Sequence, residues 1–282
     1  MAPRAIWSGA LSFGLVNVPV KMFTATRSKD VRFNQLHAKD GARIRQKRVS
    51  SVDGEEVGLE DIVKGYEISP ATYVTITPEE LDAVAPKASR LIEIEEFVDL
   101  DEIDPIYYES SYYLVPDKTG AKPYALLHAA MTSENKVAIG RVVLRSKEYL
   151  AAVRPLGDTL TMSTMRFADE VVPRNQLEGL PGADIEAGEK EVKMARQLIE
   201  SLSAAFEPEK YKDTYREAVL AMIEQKAAGQ EIVVEPEAPT ESKTVDLMAA
   251  LEASLAAAKK RKSSKPAAAR ATTAKADKKV EA

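Results

Sequence analysis

The sequence predicts a mainly β protein whose strands are followed by helices and a basic tail. Three observations support this. Short segments of alternating apolar residues, separated by turn residues, fill positions 1–170, as is typical of a sandwich or barrel. After Pro173 the apolar residues recur at helical spacing instead. Residues 256–282 are rich in Ala and Lys and have only Val280 as a larger apolar side chain, so they cannot form a core.

The strand pattern is clearest near the start of the chain. Val16, Val18, Val20 and Met22 recur with a period of two, and Pro19 among them suits an edge strand or a bulge. Further strands are predicted at residues 31–36, 43–49, 73–77, 91–98, 106–115, 137–145 and 159–166. We therefore expect a β core over residues 1–174.

Two short helices are predicted between these strands. Thr77-Pro78-Glu79-Glu80 matches a capping box with proline at the first helical position, so a helix begins there and runs to about Val84. Residues 123–131 form the second short helix.

An arm of two longer helices is predicted over residues 175–228. The second helix opens at Glu207-Pro208-Glu209 and ends at Gly229, since glycine commonly follows the last helical turn. The apolar stripe of the first helix contains Val192, Ala195, Ile199, Leu202 and Phe206, and that of the second contains Tyr211, Tyr215, Ala218 and Met222. The length of the arm suggests that it packs on the barrel or on a second subunit.

The C-terminal part divides into three segments. Residues 229–243 are acidic, contain proline and are predicted to be a linker. Residues 244–258 form a short amphipathic helix with Leu247, Leu251 and Leu255 on one stripe. Residues 259–282 form a disordered tail rich in Lys and Ala.

Composition excludes several classes of function. The chain of 282 residues has no cysteine and two histidines, so disulfides, thiol nucleophiles and Cys-ligated metals are excluded. His37 and His128 lie among apolar residues and are expected to be packed side chains. No phosphate-binding or dinucleotide motif occurs. No membrane span or signal peptide is indicated, which predicts a cytoplasmic protein.

Charge is segregated along the chain. The formal net charge of -5 and pI of about 5.4 do not suggest a nucleic-acid binder. Residues 1–50, however, carry 10 basic and 2 acidic side chains, whereas residues 51–110 carry 3 and 17. Such asymmetry indicates an anionic partner, and nucleic acid is the first candidate.

The basic stretch favours contact with phosphates. Arg43, Arg45 and Lys47 would lie on one face of a predicted strand, about 6.6 Å apart. Such a row meets successive phosphates without reading bases. Phe33 is the only aromatic residue within it, which argues against single-strand recognition by stacking and for the backbone of a duplex. No helix with base-reading residues appears, so sequence specificity is not expected.

Many ordered motifs make the chain resemble the bacterial Ku family. The opening WSGALSFGLVNVPVKMFTATR resembles the start of those proteins, and the resemblance extends to about Lys260. Other matching stretches are VRFNQLHAKDGARIRQKRV, DGEEVGLEDIVKGYEISPATYVTITPEEL, FVDLDEIDPIYYESSYYLVPD, EKEVKMARQLIESL, PEKYKDTYREAV and TVDLMAALEASLAAAKK. The last of these looks like the short C-terminal module of the family.

The resemblance implies a fold and a function. Ku proteins bind double-stranded DNA ends without sequence preference in non-homologous end joining. The bacterial form is a homodimer of β-barrels in which bridge segments, here residues 27–73, close a ring around DNA. Each helical arm reaches the partner subunit, and the C-terminal region recruits the ATP-dependent end-joining ligase of the D type. The resemblance thus implies a nucleoid-associated DNA-binding protein that is not an enzyme and has no cofactor and no small-molecule substrate.

The candidate DNA-binding residues fall in two groups. The bridge supplies Arg27, Lys29, Arg32, Arg43, Arg45, Lys47 and Arg48, and the tail supplies Lys259, Lys260, Arg261, Lys262 and Lys265. The alternative for the second group is a tail that only increases solubility. The candidate ligase-binding residues are Asp246, Leu247, Met248, Leu251 and Leu255. The alternative for these is a surface helix that folds back on the barrel.

Two other functions remain open at this point. An architectural nucleoid protein would bind DNA through the basic tail. A metal-dependent nuclease would use Asp99, Asp101 and Asp104, which lie next to Glu102 and follow the acidic residues 93, 95 and 96. A solvated acidic edge is the favoured interpretation of this cluster, since no Lys or His accompanies it.

Overall fold

The computed structural model describes residues 4–86, 89–180, 182, 187–229 and 247–263. The chain divides into two compact units, Met1–Gln176 and Leu177–Ala282. None of the helices in those ranges is long and apolar enough to cross a membrane.

Seven strands of the first unit close into a barrel, which confirms the β-barrel prediction. Around the barrel they follow the order β1-β2-β6-β9-β8-β7-β5, and the parallel pair β1–β5 closes it. A separate hairpin is formed by β3 and β4. The strands are β1 (Trp7–Phe13), β2 (Val16–Thr24), β3 (Lys64–Ser69), β4 (Thr72–Ile76), β5 (Leu91–Asp99), β6 (Tyr108–Pro116), β7 (Lys136–Leu144), β8 (Lys147–Leu156) and β9 (Thr159–Met165).

Strand β2 shows how the period of two builds the core. Val18, Val20 and Met22 are buried inside the barrel, as predicted. Pro19 pairs with β1, while pairing with β6 begins only at Val20. The Pro19 carbonyl accepts a hydrogen bond from the backbone of Asp117, just beyond the end of β6. Since the nitrogen and carbonyl of one strand residue lie on the same edge, the ring nitrogen of Pro19 also points beyond the end of β6. The missing N–H therefore costs no bond in the β2–β6 ladder.

A β-bulge on β5 requires a glycine opposite it. The register shifts between Ile94 and Glu96, so Glu95 is the extra residue. A Cβ atom on Gly140 would lie 2.1 Å from the carbonyl oxygen of Glu93, which only glycine avoids. The bulge leaves the Glu95 carboxylate on the outer surface, where it accepts a hydrogen bond from Arg141 at 2.8 Å.

Helix α2 closes one end of the barrel. The described part of the first unit has two α-helices, α1 (Pro78–Val84) and α2 (Ala121–Ser133). The capping box at Thr77 and Glu80 is present and the predicted α1 is confirmed. In α2 the buried side chains Tyr124, Leu127 and Met131 join the barrel core.

The Tyr124 hydroxyl connects α2 to two strands. It donates to the carbonyl of Leu114 in β6 at 2.7 Å, and the backbone N–H of Leu160 in β9 donates to it at 2.6 Å. Burial raises the pKa of this hydroxyl, so it stays protonated and keeps donating. One side chain thus satisfies two backbone groups in the core.

Three α-helices lie in the part of the second unit that the structure describes. They are α3 (Glu189–Leu202), α4 (Thr214–Ala227) and α5 (Leu247–Ser263). The predicted start of α4 was wrong: residues Pro208–Lys210 form a single 3-10 turn, and Asp213 caps α4 instead by accepting from the backbone of Arg216. Tyr211 therefore lies outside the helix. Gly229, at φ +73, follows the end of α4 as predicted.

The apolar stripe predicted for α3 is mostly exposed. Ile199, Leu202 and Phe206 are exposed, the last lying beyond the helix. Val192 and Ala195 of the predicted stripe are half-buried, as are Met194 and Leu198 outside it, and α5 packs along α3. The helix periodicity was right, but the sequence did not reveal which side of α3 would be covered.

The bonds of Tyr124 give a test of barrel stability. Tyr124→Phe keeps the ring but removes the hydroxyl, which leaves one buried N–H and one buried carbonyl unpaired. We expect the free energy of unfolding in urea to fall by about 1–3 kcal/mol. Tyr66→Phe, at an exposed position of β3, is the matched control and should change it by no more than about 0.5 kcal/mol. Equal stability of the two variants would contradict the assigned contact.

Candidate nucleic-acid interface

Residues 27–73, here called the bridge segment, leave the barrel after β2 as mostly irregular chain. The predicted strands at 31–36 and 43–49 were wrong, because only the isolated pairs Leu36–Arg43 and Val49–Glu56 form there. Two tight turns produce these pairs, with Gly41 and Gly54 at positive φ. Residues 36–56 thus fold back at two turns, and no continuous ladder forms before the β3–β4 hairpin.

No residue of the bridge segment, all of which is described, is buried. Its apolar side chains are among the most exposed of the chain, with Val52 at 93% and Phe33 at 70%. Other large exposed apolar residues in the segment are Leu36, Ile44, Val49, Leu59, Ile62, Val63, Tyr66, Ile68 and Tyr73. Apolar surface on this scale indicates an interaction site.

The basic side chains of the bridge segment differ in how they are engaged. Because the strand is absent, Arg43, Arg45 and Lys47 do not form the predicted row on one strand face. Arg43 donates to the Asn34 side chain at 2.7 Å, and Lys47 pairs with Glu56 at 2.5 Å.

The remaining candidates are free to meet an external anion. Within the described chain they are exposed and have neither an ion pair nor a side-chain hydrogen bond: Arg27, Lys29, Arg32, Arg45 and Arg48. Unneutralised cations on irregular backbone fit the spaced phosphates of nucleic acid.

His37 does not pack in the core, contrary to expectation. It is exposed in the first turn of the bridge segment, where its Nδ1 lies 2.9 Å from the Asp40 carboxylate. Hydrogen bonds from the Ala42 backbone and then from His37 lower the pKa of Asp40. His128 is half-buried and bonds the Gly157 carbonyl at 3.0 Å. Both histidines stabilise local structure.

The acidic residues of β5 lie on the outer surface, several of them paired. Arg141 bridges Glu95 and Glu148, and Lys136 pairs with Asp99 at 2.8 Å. The hydrogen bonds that Arg141 donates to Glu148 and then to Glu95 raise the pKa of Arg141. In the part of the chain with described side chains, no group of three or more acidic residues or histidines is placed to hold a metal ion.

The C-terminal candidates are only partly described. Asp246 and Lys265 lie outside the described residues. Leu247 begins α5, and Met248, Leu251 and Leu255 are half-buried positions of this helix, which packs along α3. Helix α5 runs to Ser263, so it includes four candidate cations assigned to the tail: Lys259, Lys260, Arg261 and Lys262.

Comparison with known proteins identifies the family. A family model described as the Ku70/Ku80 beta-barrel domain matches residues 12–194. The non-homologous end joining protein Ku of Anaeromyxobacter sp. is 54% identical over 92% of this chain and 87% of that relative. The protein of the same name from Heliobacterium modesticaldum is 48% identical over 90% of this chain and 92% of that relative. The one from Frankia casuarinae is 44% identical over 91% of this chain and 64% of that relative. The chain therefore belongs to the Ku family.

Proposed function

We propose that two copies of this chain form a ring that threads onto double-stranded DNA ends and acts in double-strand break repair by non-homologous end joining. The observation that carries the proposal is the bridge segment, with its unpaired cations and its uncovered apolar side chains. Ku family proteins are DNA-binding end-joining factors and not enzymes. The site is accordingly a binding surface.

The two kinds of exposed side chain in the bridge segment call for two kinds of partner. Contacts between phosphates and free cations such as Arg45 and Arg48 are favourable, because binding releases counterions from the DNA. For apolar side chains such as Phe33 and Val52, the favourable change is their removal from water. Contact with DNA on one side and with a second bridge segment on the other satisfies both.

A homodimer also explains exposed apolar residues in the second unit. Ile199, Leu202, Tyr211 and Tyr215 are all exposed, and the ring of Phe206 stacks on that of Tyr211 with 5.8 Å between centroids. The helical arm therefore offers an apolar surface that a partner subunit can cover.

Binding without sequence preference follows from the chemistry of the bridge segment. Arg and Lys side chains on irregular backbone contact phosphates, and such contacts position a protein but carry no base information. A closed ring adds a topological constraint, since a bound complex leaves only by sliding off an end.

We further propose that α5 recruits the ATP-dependent end-joining ligase of the D type. Its stripe of Met248, Leu251 and Leu255 is apolar, and amphipathic helices bind partners through such stripes. Since α5 packs along α3, the ligase would take the place of α3 on this stripe. The cations from Lys259 to Lys265 would hold DNA beside the ring and keep the protein on the nucleoid.

End dependence is the direct test of the proposed function. We expect linear duplex DNA to compete strongly for the protein and covalently closed circles to compete weakly, in a gel-shift or anisotropy assay. A variant that ends at Ala258 should keep this preference, because the bridge segment remains intact. Equal competition by both DNA forms would contradict the ring, and complete loss of binding on truncation would favour the architectural alternative.

The salt dependence of binding tests the bridge cations. Arg45→Gln removes two phosphate contacts from a homodimer, so the slope of log K against log salt concentration should become shallower by about 2. The matched control is Lys122→Gln in α2, an exposed cation away from the bridge segment, which should leave the slope unchanged. Equal slopes for Arg45→Gln and the parent would exclude Arg45 from the interface.

Charge placed on the α5 stripe tests ligase recruitment. Leu251→Asp should weaken ligase binding, measured by calorimetry, at least tenfold while DNA affinity stays unchanged, because a carboxylate cannot be buried in an apolar contact. Ser254→Asp places the same charge at an exposed position of α5 and is the control. Unchanged ligase binding by Leu251→Asp would exclude this stripe.

A further inference from the structure

The barrel has a pocket at the end opposite α2. It is formed where β1, β6 and β8 begin and where β2, β7 and β9 end, and it lies wholly within the first unit. Its volume is about 320 Å³, within the range of small-ligand pockets. Barrel mouths are common ligand sites.

Aromatic side chains form much of the pocket wall. Trp7, Tyr112 and Tyr149 line it, together with Leu144. These four side chains are half-buried and pack with one side on the barrel core. The other side of this apolar wall is accessible from the pocket. Flat apolar surfaces of this kind stack on nucleobases in a manner that tolerates any sequence.

Polar groups of both signs complete the pocket. Arg145 and Glu109 line it, as do the hydroxyl-bearing residues Ser110 and Thr164. In the described chain the Arg145 guanidinium has no ion pair or hydrogen bond. The ammonium of Lys147 lies 5.0 Å from the centroid of the Tyr149 ring, so a second cation lies beside the aromatic wall.

The backbone that carries Arg145 is in an unusual conformation. Arg145 and Ser146 have φ of +52 and +67, in the tight turn between β7 and β8. Such turns strongly favour Asn and Gly, since other side chains are strained there. Strained residues concentrate at functional sites, and the turn presents an exposed, unpaired guanidinium to the pocket.

We propose that this pocket binds an unpaired nucleobase of a DNA end, with the adjoining phosphate held by Arg145. The proposal rests on the proposed function and deepens it, because it assigns a place to single-stranded overhangs. Thr24, which lines the pocket, is the last residue of β2 before the chain continues to Arg27 and Lys29. A strand held by these bridge cations therefore passes close to the pocket.

The mixed chemistry favours a nucleotide over an apolar peptide. An apolar side chain would fill the aromatic wall but leave Arg145 and Glu109 without partners. In a nucleotide the base stacks on the wall, its N–H groups donate to the Glu109 carboxylate, and its phosphate pairs with Arg145. The bridge segment itself provides few rings for stacking, so overhang recognition is assigned to the barrel.

Intrinsic fluorescence reports on the pocket directly, because Trp7 is the one tryptophan of the chain. Full-length protein is titrated with a blunt duplex, with the same duplex carrying a short unpaired 3′ extension, and with oligothymidine alone. We expect the extension to change Trp7 emission beyond the blunt duplex and to raise affinity by roughly tenfold. Oligothymidine should produce the same spectral change at higher concentration.

Two glycine substitutions separate the cation from the turn. Arg145→Gly removes the guanidinium, and Ser146→Gly alters the neighbouring residue of the same turn; both positions have positive φ, which glycine adopts without strain. Both variants should fold with thermal midpoints no lower than that of the parent, because glycine relieves the strain at positive φ. Only Arg145→Gly should lose the additional affinity for the extended duplex, while both should bind the blunt duplex like the parent.

The outcomes distinguish the proposed pocket from the proposed ring. If the protein binds blunt duplex and the extension adds no effect, or if both glycine variants bind the extended duplex equally, the pocket is overturned and the ring is unaffected. If the protein does not bind blunt duplex but shows a Trp7 response to oligothymidine that Arg145→Gly loses, the ring is overturned and the pocket is supported. No Trp7 response to any unpaired DNA would overturn the pocket.

Discussion

The barrel completes its core without residues 27–73, and this one constraint governs the rest of the molecule. Inward side chains from all seven barrel strands and from α2 fill the interior. The bridge segment is consequently left with large apolar side chains in water, a state that costs free energy in an isolated subunit. In the proposed homodimer a second bridge segment covers these side chains, and the free cations beside them, such as Arg45 and Arg48, face DNA.

Much of the barrel could be predicted because its strands alternate between core and solvent. Strand β2 is the clearest case, since Val18, Val20 and Met22 face one core. Strand β8 was missed because its apolar run is nearly continuous, both of its faces being largely covered. The bridge segment was predicted as strands from the same alternation, but no neighbouring strand is available to pair with it.

The binding site was harder to predict than the fold. Sequence reasoning located the cations but not their partners, so Lys47 and Arg45 looked equivalent although only Lys47 is paired, with Glu56. The pocket at the barrel mouth was invisible in the sequence, because Trp7, Tyr112 and Tyr149 come from three distant strands. Only the pair Arg145-Ser146, which is unusual in a two-residue turn, pointed to this end of the barrel.

The acidic average of the chain now has a structural explanation. The net charge of -5 combines a basic stretch at residues 27–50, with 8 basic and 2 acidic side chains, and acidic residues on the outer surface of β5, where Glu95 and Asp99 are paired with Arg141 and Lys136. Part of the negative charge of β5 is thus neutralised locally, while Arg27, Arg45 and Arg48 of the basic stretch have no ion pair within the described chain. The positions of the charged side chains, and not the net charge of the chain, determine whether a surface attracts DNA.

Topological trapping tests the central claim, that two bridge segments close around DNA, most directly. The protein is loaded on linear duplex, the DNA ends are ligated into a circle, and the salt concentration is raised until phosphate contacts are lost. We predict that protein stays on the circle, leaves the unligated duplex, and leaves the circle once a restriction enzyme cuts it. Equal release from circle and linear duplex at high salt would contradict the ring.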